Sequence, residues 1–142
     1  MNKALKLAAT ALLLLSATAQ AAELELTVQN LASSEGAVMV AVFNEAGQWL
    51  KTPVVMAKQP ASMQLDGKLT LLLKDLPEGE LAISVFHDLN GNGRLDSNAM
   101  GIPMEPFAFS NEAKAMFSAP KFEAARFSVP AAARMAMTIT LN

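Results

Sequence analysis

Apolar and polar residues alternate with a period of two along most of this chain, which is the signature of strands with one face buried. Leu24, Leu26 and Val28 fall on one side of the first such run, with Glu23, Glu25, Thr27 and Gln29 on the other. Gly36 opens a second run, with Val38, Val40 and Val42 on one face and Ala37, Met39, Ala41 and Phe43 on the other. Both faces are apolar, so this strand is expected to be central. Asn44 to Pro53 reads as a loop with Trp49 and Leu50 tucked beneath it. Val54–Ala57 and Met63–Leu65 are short strand candidates separated by Pro60. Leu69, Leu71 and Leu73 begin another strand, and Leu76-Pro77-Glu78-Gly79-Glu80 turns it back. Leu81, Ile83 and Val85 alternate with Ala82, Ser84 and Phe86 and lead straight into an acidic loop. Periodicity then fades from Asp88 to Pro120, with one helical turn expected at Ala113–Phe117. Phe122–Val129 and Met135–Leu141 are the last two strands expected.

Short strands, frequent turn signals and no long helix predict an all-β fold. The expectation is a single antiparallel β-sandwich of about seven strands, of Greek-key type, with one long irregular loop. A structureless loop of that length in a small domain is usually functional or internally packed.

The N-terminus stands outside this pattern. Lys3 and Lys6 precede an apolar run from Leu7 to Leu15, and Ala19-Gln20-Ala21 supplies small residues at a cleavage site. Residues 1–21 therefore read as a secretory signal peptide, with cleavage after Ala21. The run is well short of the roughly 20 residues that span a bilayer. Residues 22–142 are the expected single domain, exported and periplasmic, without membrane insertion after cleavage. Taking Lys3 and Lys6 from the 11 basic residues leaves nine against 13 acidic ones, a net charge of −4. With no basic stripe, nucleic acid is not an expected partner. The chain has no cysteine, which excludes disulfides and thiolate metal sites.

One segment carries chemistry: His87-Asp88-Leu89-Asn90-Gly91-Asn92-Gly93-Arg94-Leu95-Asp96. Counted from Asp88, side-chain oxygens fall at positions 1, 3 and 5, as Asp88, Asn90 and Asn92. Gly93 follows at position 6, where a cation loop reverses, and Asp96 lies at position 9. Arg94 would offer its carbonyl, Leu95 would pin the loop to the core, and Asn98 or Glu105 would complete the shell if the loop folds back. Hard oxygen ligands suit Ca²⁺. Position 12 is Ala99, where an EF-hand carries a bidentate glutamate, and a strand leads in where a helix should. Such a site would bind weakly, on the order of 10⁻⁴–10⁻³ M. The alternative is a run of tight turns whose Asn and Asp side chains bond to nearby backbone N–H groups without an ion. His87, the only histidine, reads as a strand-end residue bonded within the loop. The scattered methionines read as core filling rather than copper ligands.

Leu76-Pro77-Glu78-Gly79, the segment Val85–Asn98, Gly101-Ile102-Pro103-Met104-Glu105-Pro106 and Phe109-Ser110-Asn111 together resemble the bacterial DUF2141 family. Ala119-Pro120-Lys121-Phe122 and Ala125-Arg126-Phe127 continue the likeness across the chain. Ala108 stands where the family tends to have glycine, and Glu112 where it tends to have asparagine. The resemblance implies an exported protein and supplies no activity. A looser, fold-level similarity is to transthyretin-like and collagen-adhesin B-type sandwiches. The leading expectation is a non-enzymatic binding module for a protein or small molecule, with a Ca²⁺-stabilised loop. The alternatives are a hydrolase-like enzyme using His87, Asp88 and Glu105, or a purely structural protein without metal.

Overall fold

The computed structural model describes residues 21–142, so the expected signal peptide at 1–21 lies outside the described residues except for Ala21. The fold is all-β. Eight strands run in order as β1 (Ala22–Gln29), β2 (Ala37–Phe43), β3 (Val55–Pro60), β4 (Lys68–Leu76), β5 (Gly79–Asp88), β6 (Phe107–Phe109), β7 (Phe127–Val129) and β8 (Arg134–Thr140). They form two sheets. One has the order β4-β1-β8; the other has the order β3-β2-β5-β6, with β7 also paired to β5.

Leu24, Leu26 and Val28 of the first sheet share one buried cluster with Val38, Val40, Val42, Leu81, Ile83 and Val85 of the second. These are the side chains that period-two alternation assigned to one face. The opposite face of β2 and β5 is buried too. Phe43 and Ala82 join Phe109, Phe122 and Ala125 in a second cluster, against which Trp49 packs. The two apolar faces of β2 thus have one cause, because this strand lies between β3 and β5 with a core on each side.

Several expectations need correction. Among the described residues there are eight strands in two sheets rather than about seven, and not all are antiparallel: β1 pairs with β8 in parallel, Leu26 opposite Met137. Alternation fixes which face a residue takes but not the direction of its neighbour. A parallel pair needs a long crossover, and here the whole intervening chain provides it. Pro60 ends β3 rather than breaking it, since β3 is an edge strand whose last residue needs no ladder donor. Met63–Leu65 is not a strand. Asp66 and Gly67, with φ of 52° and 76°, form a tight two-residue turn closed between Leu65 and Lys68. Ala113–Phe117 is not helical; the α-helical turn among the described residues is α1, Phe122–Ala125, so only Phe127–Val129 of the strand expected at Phe122–Val129 is extended. Leu50 does not tuck under its loop and is exposed, with φ of 58°.

Candidate functional site

The acidic loop leaves the end of β5, and that end is held by backbone contacts. Gly36 has φ of 67°, and a Cβ there would stand 1.9 Å from the carbonyl oxygen of Asp88. Only glycine allows this approach. Next to it, the Glu35 carbonyl lies 2.6 Å from His87 Nε2, and the backbone N–H of His87 donates to the Pro106 carbonyl at 2.9 Å. Residues 35–36 therefore clamp 87–88 on one side while 106 holds them on the other. This clamp was missed from sequence, where Gly36 signalled only a strand start.

His87 and Asp88 are both fully buried. Strand alternation sends them to opposite faces, with His87 on the side of Val85 and Ile83. His87 is thus a strand-end residue, but its partner is the Glu35 carbonyl before β2 rather than a group within the loop, and it does not share a face with Asp88. One Asp88 oxygen, Oδ2, accepts the backbone N–H of Gly93 at 2.8 Å. The other, Oδ1, is buried and has no hydrogen-bond partner among the described residues, as is also true of His87 Nδ1. A carboxylate oxygen removed from water without a partner is costly.

The rest of the loop closes on itself. Asn90 Oδ1 accepts the N–H of Asn92 at 3.1 Å, and Asn92 Oδ1 accepts that of Arg94 at 2.9 Å. These are consecutive Asx turns. Their amide nitrogens converge on Asp96: Asn90 Nδ2 donates to Oδ2 at 2.5 Å, and Asn92 Nδ2 lies 2.8 and 2.9 Å from the two carboxylate oxygens. These bonds, Asn92 first and then Asn90, with a smaller contribution from Arg94, hold the Asp96 carboxyl below its ordinary value.

Glu105 folds back as expected, but onto backbone. It is 7% exposed, and its two oxygens accept the N–H groups of Leu89 at 2.9 Å and Asp96 at 3.0 Å. One buried carboxylate thereby ties both ends of the Asp88–Asp96 segment. Leu95 is half-buried, and Arg94 is exposed and contributes its backbone N–H. Among the described residues, no three His, Cys, Asp or Glu side chains gather as a metal-holding group. The structure thus brings Asn90, Asn92 and Asp96 together, sets Asp88 on Gly93, and uses Glu105 as a backbone staple.

Beyond the loop, Ser110 and Asn111 entered the sequence reading only through the family resemblance. Ser110 Oγ is buried, accepts the Ile83 N–H at 2.9 Å and donates to the Ala125 carbonyl at 2.5 Å. It fills the gap on the β5 edge between β6, which pairs at 84–86, and β7, which pairs at 79–81. Asn111, with φ of 57°, donates from its side chain to the Arg126 carbonyl.

The architecture and the loop define an all-β domain with a polar, side-chain-stapled excursion at one strand end. The chain belongs to the DUF2141 family, described as an uncharacterized protein conserved in bacteria, whose family model matches residues 26–138. No curated protein and no solved structure matches it.

Proposed function

We propose that this chain is an exported, non-enzymatic β-sandwich of Greek-key, transthyretin-like type, and that it is a binding module whose 88–105 loop is stiffened by weakly bound Ca²⁺. The observation that carries the cation reading is Asp88 Oδ1, a fully buried carboxylate oxygen with no hydrogen-bond partner among the described residues. A hard cation would give such an oxygen a partner. Asp88, Asn90, Asn92 and Asp96 would hold it, with the Arg94 carbonyl and Glu105. Each asparagine side chain bears an oxygen opposite the nitrogen it now turns to Asp96. Rotating the amides would turn those oxygens toward Asp96 in exchange for the bonds they now accept from the Asn92 and Arg94 N–H groups. Bound Ca²⁺ would neutralise the loop's carboxylates and hold the loop in place of those bonds.

Export is supported by the signal-like segment at 1–21. Cleavage after Ala21 leaves β1 intact from Ala22. Among the described residues no helix is long and apolar enough to cross a membrane.

The test is calorimetry and thermal unfolding of residues 22–142 with Ca²⁺. With a dissociation constant on the order of 10⁻³ M, Ca²⁺ at ten times that concentration should add about 1.4 kcal/mol of stability. Asp88→Asn should abolish the gain. Absence of heat and of any melting shift at millimolar Ca²⁺ would overturn the cation reading and leave the self-bonded turn.

A further inference from the structure

The loop contains two asparagines that each precede a glycine, Asn90–Gly91 and Asn92–Gly93, and no other asparagine in the chain does. An Asn–Gly pair is chemically exposed, because a glycine nitrogen reaches the preceding side-chain carbonyl with little steric hindrance. The two pairs are close to a controlled comparison. Both asparagines are exposed. Both side-chain oxygens accept the backbone N–H of the residue two positions on, at 3.1 and 2.9 Å. Both side-chain nitrogens donate to Asp96. Asn90 Nδ2 meets one Asp96 oxygen and Asn92 Nδ2 meets both, and accepting an N–H polarises each carbonyl toward attack.

The attacking nitrogens differ. Gly93 N donates its hydrogen to Asp88 Oδ2 at 2.8 Å, and that carboxylate is fully buried. To attack Asn92, Gly93 N must give up a charge-assisted bond fixed by the end of β5. Gly91 N has no acceptor among the described residues. Both glycines lie in open surroundings, since a Cβ on either would meet nothing within 4 Å, so the bond to Asp88 is what separates them.

We propose that Asn90 is a self-deamidation site and that Asp88 protects Asn92 from the same reaction. Gly91 N bonds to Asn90 Cγ, the bond from Cγ to Nδ2 breaks, and Nδ2 leaves as ammonia with the proton lost by Gly91 N. Water then opens the cyclic imide at either carbonyl, giving aspartate or isoaspartate at position 90. The sum is amide plus water to acid plus ammonia, with no oxidant or reductant. The product removes the donor from Asn90 Nδ2 to Asp96 and sets two carboxylates against each other, so the loop opens unless a cation joins them. That last consequence rests on the cation reading; the reaction itself does not.

The experiment ages the protein of residues 22–142 in warm, mildly alkaline buffer, beside the same chain unfolded in urea, and maps acid and isoaspartate at each position. In urea the two pairs should react alike. In the folded protein position 90 should lead position 92 by at least about tenfold, the rate factor that one charge-assisted hydrogen bond supports. Gly91→Ala should slow position 90 alone, and Asp88→Asn should release position 92. Equal rates in the folded protein, or position 92 leading, would overturn the proposal. A Ca²⁺ titration of Asn90→Asp separates the two readings. Tighter binding than wild type supports the cation consequence; unchanged or absent binding removes it and leaves the deamidation ratio standing.

Discussion

The long excursion between β5 and β7 has two halves that are ordered by different physics. Residues 89–106 hold few apolar anchors. Their turns are fixed by Asp88, Asn90, Asn92, Asp96 and Glu105 accepting backbone N–H groups or trading side-chain bonds. Met100, Ile102 and Met104 remain exposed on that half. In the second half, 107–110 and 120–125 are ordered by burial, while the segment between them, Met116 and Phe117 included, is largely exposed. Phe109 and Phe122 pack on Trp49, whose ring stands edge-on to Phe43 at 5.0 Å and whose Nε1 donates to the Pro120 carbonyl at 2.8 Å. The first half should therefore respond to pH and ions, and the second should follow the core. One excursion can be chemically adjustable at one end and rigid at the other because a single strand, β5, anchors both.

The sharpest way to break this contrast is at the footing they share. Gly36→Ala places a methyl group on the Asp88 carbonyl at a position whose φ already disfavours alanine. The backbone of β2 or β5 must shift, and the expected loss is about 3 kcal/mol or more, read as a lower denaturant midpoint. A midpoint equal to wild type would mean that 35–36 does not clamp the loop. A smaller effect is expected in the second half alone. Ser110→Ala strips partners from the buried Ile83 N–H and Ala125 carbonyl. It should cost about 1–3 kcal/mol, speed amide exchange at Ile83, and leave the Asn90 and Asn92 side-chain resonances unmoved. Movement of those resonances would show that the halves are coupled.

How much of this was legible in the sequence follows the same division. The strands β1, β2, β4, β5 and β8 were readable because one buried face writes a period of two into the residues, as in Leu24, Leu26 and Val28. The parallel partnership of β1 and β8 was not, since Leu26 opposite Met137 looks the same in either direction. The Asx turns at Asn90 and Asn92 were readable, because their bonds run to residues two positions away. The role of Glu105 was half readable. Its return to the loop was expected, but its choice of the Leu89 and Asp96 N–H groups depends on how the 97–104 segment folds. β6 and Ser110 left no local signal, because three residues are too few to show a period and the gap that Ser110 fills exists only once β6 and β7 are both on β5. Glu112 is intermediate. It holds φ of 50°, where asparagine is better tolerated, so the departure from the family's asparagine falls where backbone geometry explains the preference.

The finest test of the contrast is acid. Hydrogen bonds from Asn92 and Asn90 hold the Asp96 carboxyl below its ordinary 3.8. A carboxyl lowered in the folded state contributes stability that is fully present above its unfolded value and is lost as pH falls through its folded value. For Asp96 the window therefore lies below 3.8, and the loop should be unchanged by this group between neutral pH and that point. An NMR titration should show the Asn90 and Asn92 side-chain NH₂ resonances moving together below the window's upper edge, while the Trp49 indole N–H stays in place. Asp96→Asn should remove that movement and leave the melting temperature nearly unchanged, because the group is solvent-screened. If the Trp49 resonance moves with the amides, the second half is not independent of the first. If neither moves, the Asp96 hydrogen bonds do not persist in solution, and the order of the first half must rest on Asp88 and Glu105 alone.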